Sequence, residues 1–133
     1  MDNTLKKSER LNSQLLINQL FAGGNASMAA FPLRVVYMKE EKKETVEGCE
    51  KPLVSILISV PKKRFRHAVD RNRMKRLVRE AYRTHKYILW DALASKNYRI
   101  ILAFVCITDT LPTFEVVTRS VTKALTRISE KLG

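Results

Sequence analysis

The sequence predicts an α/β (α+β) fold, a two-layer sandwich of a small mixed sheet and three helices, and three observations carry that expectation. Apolar residues make up 45% of 133 residues, enough for one core and one domain spanning 1–133. Two runs, "LVSILISV" (53–60) and "YRIILAFVCI" (98–107), have the length and branching of strands and fall far short of a bilayer span. Between them, and again after Pro112, the apolar spacing changes to that of helices.

The elements follow in order. "SQLLINQLFA" (13–22) reads as a short helix: Leu16 and Leu20, and Ile17 and Phe21, recur four residues apart, Asn12 or Ser13 can cap it, and Gly23-Gly24 ends it. "LRVVYM" (33–38) reads as a strand, and the charged segment 39–51 as an exposed hairpin connection. In 53–60, Val54, Ile56, Ile58 and Val60 share one face and Leu53, Ser55, Leu57 and Ser59 the other, before Pro61 ends the strand. A helix then runs from about Ala68 to Lys86. The segment 98–107 is too apolar for an edge and reads as a buried central strand. The last helix starts at a Thr113 cap and buries Phe114, Val117, Val121, Leu125, Ile128 and Leu132. Strand, helix and strand thus form a β-α-β unit around residues 68–86.

Charge is concentrated in that unit. The chain holds 25 Lys and Arg against 13 Asp and Glu, a formal +12 with a pI near 10.1. Between Lys62 and Lys86 eleven cations face two acids, Asp70 and Glu80, leaving a net +9 there and +3 elsewhere. On a helical wheel Met74, Leu77, Val78 and Ala81 take one side, while Asn72, Lys75, Arg76, Arg79, Arg83 and Lys86 fall within an arc of roughly 100° on the other. Like charges four residues apart, Lys75 with Arg79 and Arg79 with Arg83, repel with few acids to relieve them. Such a ladder points to a polyanion, because guanidinium forks bind phosphate in pairs and release its counterions. A membrane surface is the weaker rival, since the apolar side lacks a Trp or Phe wedge.

Protein-borne chemistry is not evident. His67 and His85, the two histidines, would stand about 27 Å apart on one helix, too far to share a phosphate. Glu40, Glu41, Glu44, Glu47 and Glu50 form the one dense acidic group, and a solubilising loop explains it. Cys49 and Cys106 lack ligand-spaced partners, so no metal site is expected, and Cys106 reads as core. Trp90 reads as packing over the core edge. The opening "MDNTLKKSER" is polar, without the hydrophobic segment of a signal peptide. With two cysteines and no disulfide framework, a reduced cytoplasmic setting and no membrane partner are expected.

The run "KKRFRHAVDRNRMKRLVREAYR" (62–83) resembles the signature of the bacterial ribonuclease P protein component, matching at Lys62, Lys63, Ala68, Arg71, Asn72, Arg73, Lys75, Arg76, Arg79, Glu80, Tyr82 and Arg83. "LKKSERLNSQLLINQLFAGG" and "SILISVPKK" extend the resemblance over most of the chain. Departures are Pro61 where serine is common, Leu57 where glycine is common, Ile17 where many members carry an aromatic, and a longer segment at 39–51. The resemblance implies a left-handed β-α-β crossover, against the right-handed rule. It implies a subunit that binds a catalytic RNA and promotes removal of the 5′ leader from precursor tRNA, with the chemistry left to RNA-bound Mg²⁺ and no cofactor held by the protein. Matching positions assign RNA contact to Lys62, Lys63, Arg71, Asn72, Arg73, Lys75, Arg76, Arg79 and Arg83. They assign a leader cleft to Phe21, with Arg34 and Tyr37 as neighbours, of which strand alternation lets one face it.

Overall fold

The strand formed by the most apolar run, Tyr98–Cys106, lies inside a four-stranded sheet and is buried on both faces. The computed structural model describes residues 14–22, 26–41, 54–94, 96 and 98–132. Its elements are α1 (Gln14–Phe21), β1 (Ala26–Ala30), β2 (Leu33–Glu41), β3 (Val54–Ser59), α2 (Ala68–His85), α3 (Tyr87–Leu93), β4 (Tyr98–Cys106) and α4 (Phe114–Leu132). The strand order is β1-β2-β4-β3. β1 with β2 and β2 with β4 are antiparallel, and β3 with β4 is parallel, so the sheet is mixed and β3, α2, α3 and β4 form the β-α-β unit.

The position of β4 corrects one expectation. Residues 39–41 continue β2 as far as the pair Glu41–Tyr98, and β2 and β3 are not hairpin neighbours because β4 lies between them. Ile100, Leu102, Phe104 and Cys106 on one face of β4, and Ile101 and Ala103 on the other, all need cover, which a central strand receives and an edge strand does not. β3 takes the edge, where its second face carries Ser55 and Ser59. Residues 42–53, including Cys49, lie outside the described residues.

The main core fills the space between one sheet face and α2, α3 and α4. Leu33, Val35 and Tyr37 of β2 and Val54 and Ile56 of β3 meet Met74, Val78, Ala81 and Tyr82 of α2 and Val117, Val121, Leu125 and Ile128 of α4 there. Thr113 caps α4 as expected: its Oγ1 accepts from the Val116 amide at 3.3 Å. Phe114 departs from the buried stripe and is exposed, because the first residue of the helix projects past the core. The opposite sheet face carries a smaller cluster in which Leu20 of α1 covers Val36, Ile101 and Ala103. The caps expected at Asn12, Ser13 and Gly23-Gly24 lie outside the described residues.

A fourth helix, α3, joins the three expected. The helical path turns at Lys86, whose carbonyl accepts from the amides of Leu89 and Trp90, and Leu89 and Leu93 dock in the core. Trp90 lies over the core edge and donates its indole N–H to the Tyr82 hydroxyl at 3.2 Å.

Candidate nucleic-acid interface

The N-terminal half of α2 and the turn before it gather the exposed cations. Pro61 ends β3, and the Arg64 amide donates to its carbonyl at 3.0 Å, closing a turn that leaves Lys62 and Lys63 in solvent. The helix starts after His67, whose extended backbone has no side-chain cap, with Asp70 in the first turn and Arg83 and His85 in the last, both signs suited to the helix dipole. Asn72, Arg73 and Arg76 are exposed, and Lys75 and Arg79 are half-buried beside them. Lys62, Lys63 and Arg66 thus stand in the turn before the amide end of α2, where charge and dipole both favour phosphate, and Arg73 and Arg76 continue the exposed charge along the first half of the helix.

Several basic side chains of this segment are engaged within the protein. Arg71 folds back, and its Nη1 donates to the carbonyl oxygens of Phe65 at 2.9 Å and Arg66 at 3.0 Å. Arg83 lies against Glu80, with Nη2 at 3.0 Å and Nε at 3.3 Å from the same carboxylate oxygen. Lys86, assigned by the wheel to the basic arc, is instead buried, its ammonium 4.9 Å from the centre of the Trp90 ring. The turn into α3 carries Lys86 off the exposed ridge. Arg64, half-exposed, pairs with Asp109 at 3.3 Å.

The Arg71 geometry yields an expected result. Arg71→Ala removes the one nitrogen, Nη1, that bonds both carbonyls, so amides 62–67 should exchange hydrogen faster and the turn should loosen by about 1 kcal/mol. Arg73→Ala, which removes the same charge nearby and disturbs no hydrogen bond among the described residues, should leave that exchange unchanged. Equal exchange in both variants would remove the bracing role.

The second region is the sheet face under α1. Along β2 the side chains of Leu33, Val35 and Tyr37 point into the main core, and those of Arg34, Val36, Met38 and Glu40 point to the α1 side. This resolves the alternative left by the sequence: Arg34 is exposed on the α1 side, and Tyr37, 5% exposed, belongs to the core. Phe21, at the end of α1, is 47% exposed. Residues paired across the strands form rows on this face, Arg34–Val105–Ser59, then Val36–Ala103–Leu57, then Met38–Ile101–Ser55. Arg99 closes the far end, buried, donating to Ser55 Oγ at 2.7 Å and lying 3.5 Å from Glu40 Oε2. Sequence reasoning passed over Arg99; the signal available was a single charge set in an otherwise apolar strand.

His67 and His85 sit at opposite ends of α2. Among the described residues, no group of three or more His, Cys, Asp or Glu side chains is arranged to hold a metal ion. Burial pushes the Cys106 thiol above its ordinary pKa, and its Sγ donates to the Thr108 carbonyl. Among the described residues no helix is long and apolar enough to cross a membrane.

Known proteins resemble this chain along most of its length. The family model for ribonuclease P matches residues 5–129. The chain is 45% identical over 125 residues to the ribonuclease P protein component of Porphyromonas gingivalis, covering 94% of this chain and 86% of that protein. It is 31% identical over 135 residues to the protein of the same name from Chlorobium phaeobacteroides, covering 95% of this chain and 88% of the relative. The corresponding protein of Chlorobaculum tepidum is 35% identical over 119 residues, covering 85% of this chain and 75% of its own length.

Proposed function

The chain belongs to the ribonuclease P protein family, and from that premise we propose that its exposed ridge from Lys62 to Arg79 binds the catalytic RNA while the α1 face of the sheet holds the 5′ leader of precursor tRNA. The protein is a subunit of the ribonucleoprotein that processes tRNA 5′ ends. The observation that carries the assignment of the ridge is the run of exposed Lys62, Lys63, Arg66, Arg73 and Arg76 from the turn before α2 into its first half. Arg79 and Lys75 extend the same surface along the helix. Phe21 supplies an exposed ring on the leader face and Arg34 a cation, a combination that suits leaders of varied sequence because every base can stack.

Mg²⁺ held by the RNA supplies the hydrolytic chemistry in this reading. The side chains of this subunit bind and position RNA, and by adding positive charge near the leader they lessen the Mg²⁺ concentration needed. The cytoplasm is the corresponding site of action, in keeping with the free, buried Cys106 thiol.

The test mixes the protein, a bacterial ribonuclease P RNA and labelled precursor tRNA at low Mg²⁺. Cleavage at the mature 5′ end is expected only when both components are present. Cleavage by protein alone would reveal an active site in this chain, and RNA binding without stimulation would make it a general RNA-binding protein. In the active mixture Phe21→Ala should weaken binding of leader-bearing substrate about tenfold and leave binding of leaderless tRNA unchanged. Equal effects on both substrates would place Phe21 outside the leader site.

A further inference from the structure

A pocket apart from the ridge and the α1 face combines an aromatic ring with exposed cations. The β1–β2 turn meets α4 there, and Ala30, Phe31, Val116, Arg119, Ser120 and Lys123 line a shallow pocket of about 190 Å³. Phe31 is 69% exposed, so its ring is open to a partner at the rim of this pocket. The turn is fixed on both sides: Ser120 Oγ donates to the Ala30 carbonyl, and the Ile107 amide donates to the Pro32 carbonyl at 3.0 Å. Phe31 is therefore presented in a set position.

Charge surrounds it. Arg119, Lys123, Arg127 and Lys131 follow one another at intervals of four along α4, all exposed, and among the described residues none of them takes part in an ion pair. The exposed acids on this helix are Glu115, one turn before Arg119, and Glu130, beside Lys131. Like charges at this spacing destabilise a helix by a few tenths of a kcal/mol per pair, so the ladder opposes folding unless an anion covers it.

We propose that this pocket binds an unpaired nucleotide of RNA, the base stacked on Phe31 and the adjoining phosphate held by Arg119 and Lys123, with Arg127 and Lys131 continuing the backbone track. The shape agrees: the pocket is smaller than the roughly 300 Å³ at which drug-sized sites begin, and it suits one flat ring. Aromatic platforms flanked by cations are how single strands are held without regard to sequence. The inference deepens the RNA-binding reading and rests on it, but it uses residues that the Lys62–Arg79 ridge and the α1 face leave idle. The nucleotide can come from the catalytic RNA or from the substrate. β1 is a sheet edge of five residues, so a strand leaving the α1 face beside Arg34 can round that edge to reach Phe31.

The experiment uses the full chain with a bacterial ribonuclease P RNA. Phe31→Ala, Phe31→Leu, Phe31→Trp and the pair Arg119→Ser with Lys123→Ser are compared in two arms, affinity of the protein for the catalytic RNA and affinity of the holoenzyme for precursor tRNA. Phe31→Ala and Phe31→Leu should each lose about tenfold in one arm, and Phe31→Trp should not. The charge pair should also lower the salt slope by about 0.7 for each phosphate no longer neutralised. The arm that moves identifies the source of the nucleotide. Arg73→Ala with Arg76→Ala serves as the reference. If that pair weakens RNA binding while every pocket variant binds normally in both arms, the pocket proposal fails and the ridge stands. If neither set changes RNA binding, both fail. Loss with Phe31→Ala but retention with Phe31→Leu, together with a concentration-dependent dimer in sedimentation, would make the pocket an interface between two copies of this chain and overturn the proposal.

Discussion

Replacing Arg73 and Arg76 together by alanine is expected to lower affinity for the catalytic RNA about a hundredfold near 0.15 M salt while the fold stays intact. Both side chains are exposed, and among the described residues neither makes an ion pair, so truncation leaves the packing of the protein undisturbed. Removing a cation that neutralises a phosphate weakens binding almost uniformly across sequences, and each such removal reduces the salt slope by about 0.9 on duplex targets. Arg83→Ala should do much less, since the Arg83 guanidinium is already occupied by Glu80 at 3.0 Å. Titrations at several salt concentrations, with thermal melts of each variant, check this. An unchanged affinity, with folding confirmed, would move the RNA-binding face away from α2.

Phe104→Ala should cost about 3–5 kcal/mol, a large share of the roughly 5–15 kcal/mol by which a domain is stable. Phe104 is fully buried on β4, between Val35 on one neighbouring strand and Ile58 on the other, and its ring centre lies 6.2 Å from that of Tyr82 on α2. The change removes packing from sheet and helix at once and cannot be refilled from either side. Urea unfolding monitored through Trp90 would measure it, with Phe104→Leu expected to lose less than half as much. A loss below about 1 kcal/mol would mean that the core relaxes around this ring far more than close packing permits.

What the sequence disclosed, and what it did not, follows from how local each cause is. The alternation in β3, the unbroken run of β4 and the stripe of α4 are local patterns, and the structure reproduces them with Phe114 as the exception. β1 was not legible because "ASMAA" has no β-branched residue and becomes a strand through its pairing with β2. α3 escaped because its seven residues follow α2 with one residue between, so periodicity alone shows no boundary. The basic ridge was legible from spacing, and so was the Glu80–Arg83 pair, three residues apart on one helix, whereas the occupation of Arg71 and Lys86 depends on a turn before α2 and a tryptophan after it that the wheel of α2 does not include. The choice between Arg34 and Tyr37 needed to know which side of β2 the three larger helices cover, and only the tertiary arrangement supplies that.

The place of β4 in the middle of the sheet has a consequence during synthesis. β1 and β2 can pair as soon as they leave the ribosome, but β3 has no partner among them and must wait for β4. About 40 residues separate the two strands, roughly 2–8 s of translation at ordinary bacterial speeds. In the last part of that interval, once residue 85 has been added, the nascent chain carries a completed basic helix segment without the strand that seats it, next to the ribosome's own polyanionic surface. Ribosomal RNA is thus the first competitor this subunit meets. A stop codon placed just before residue 98 should yield a product that stays with ribosomes at low salt, is released at high salt, and does not fold.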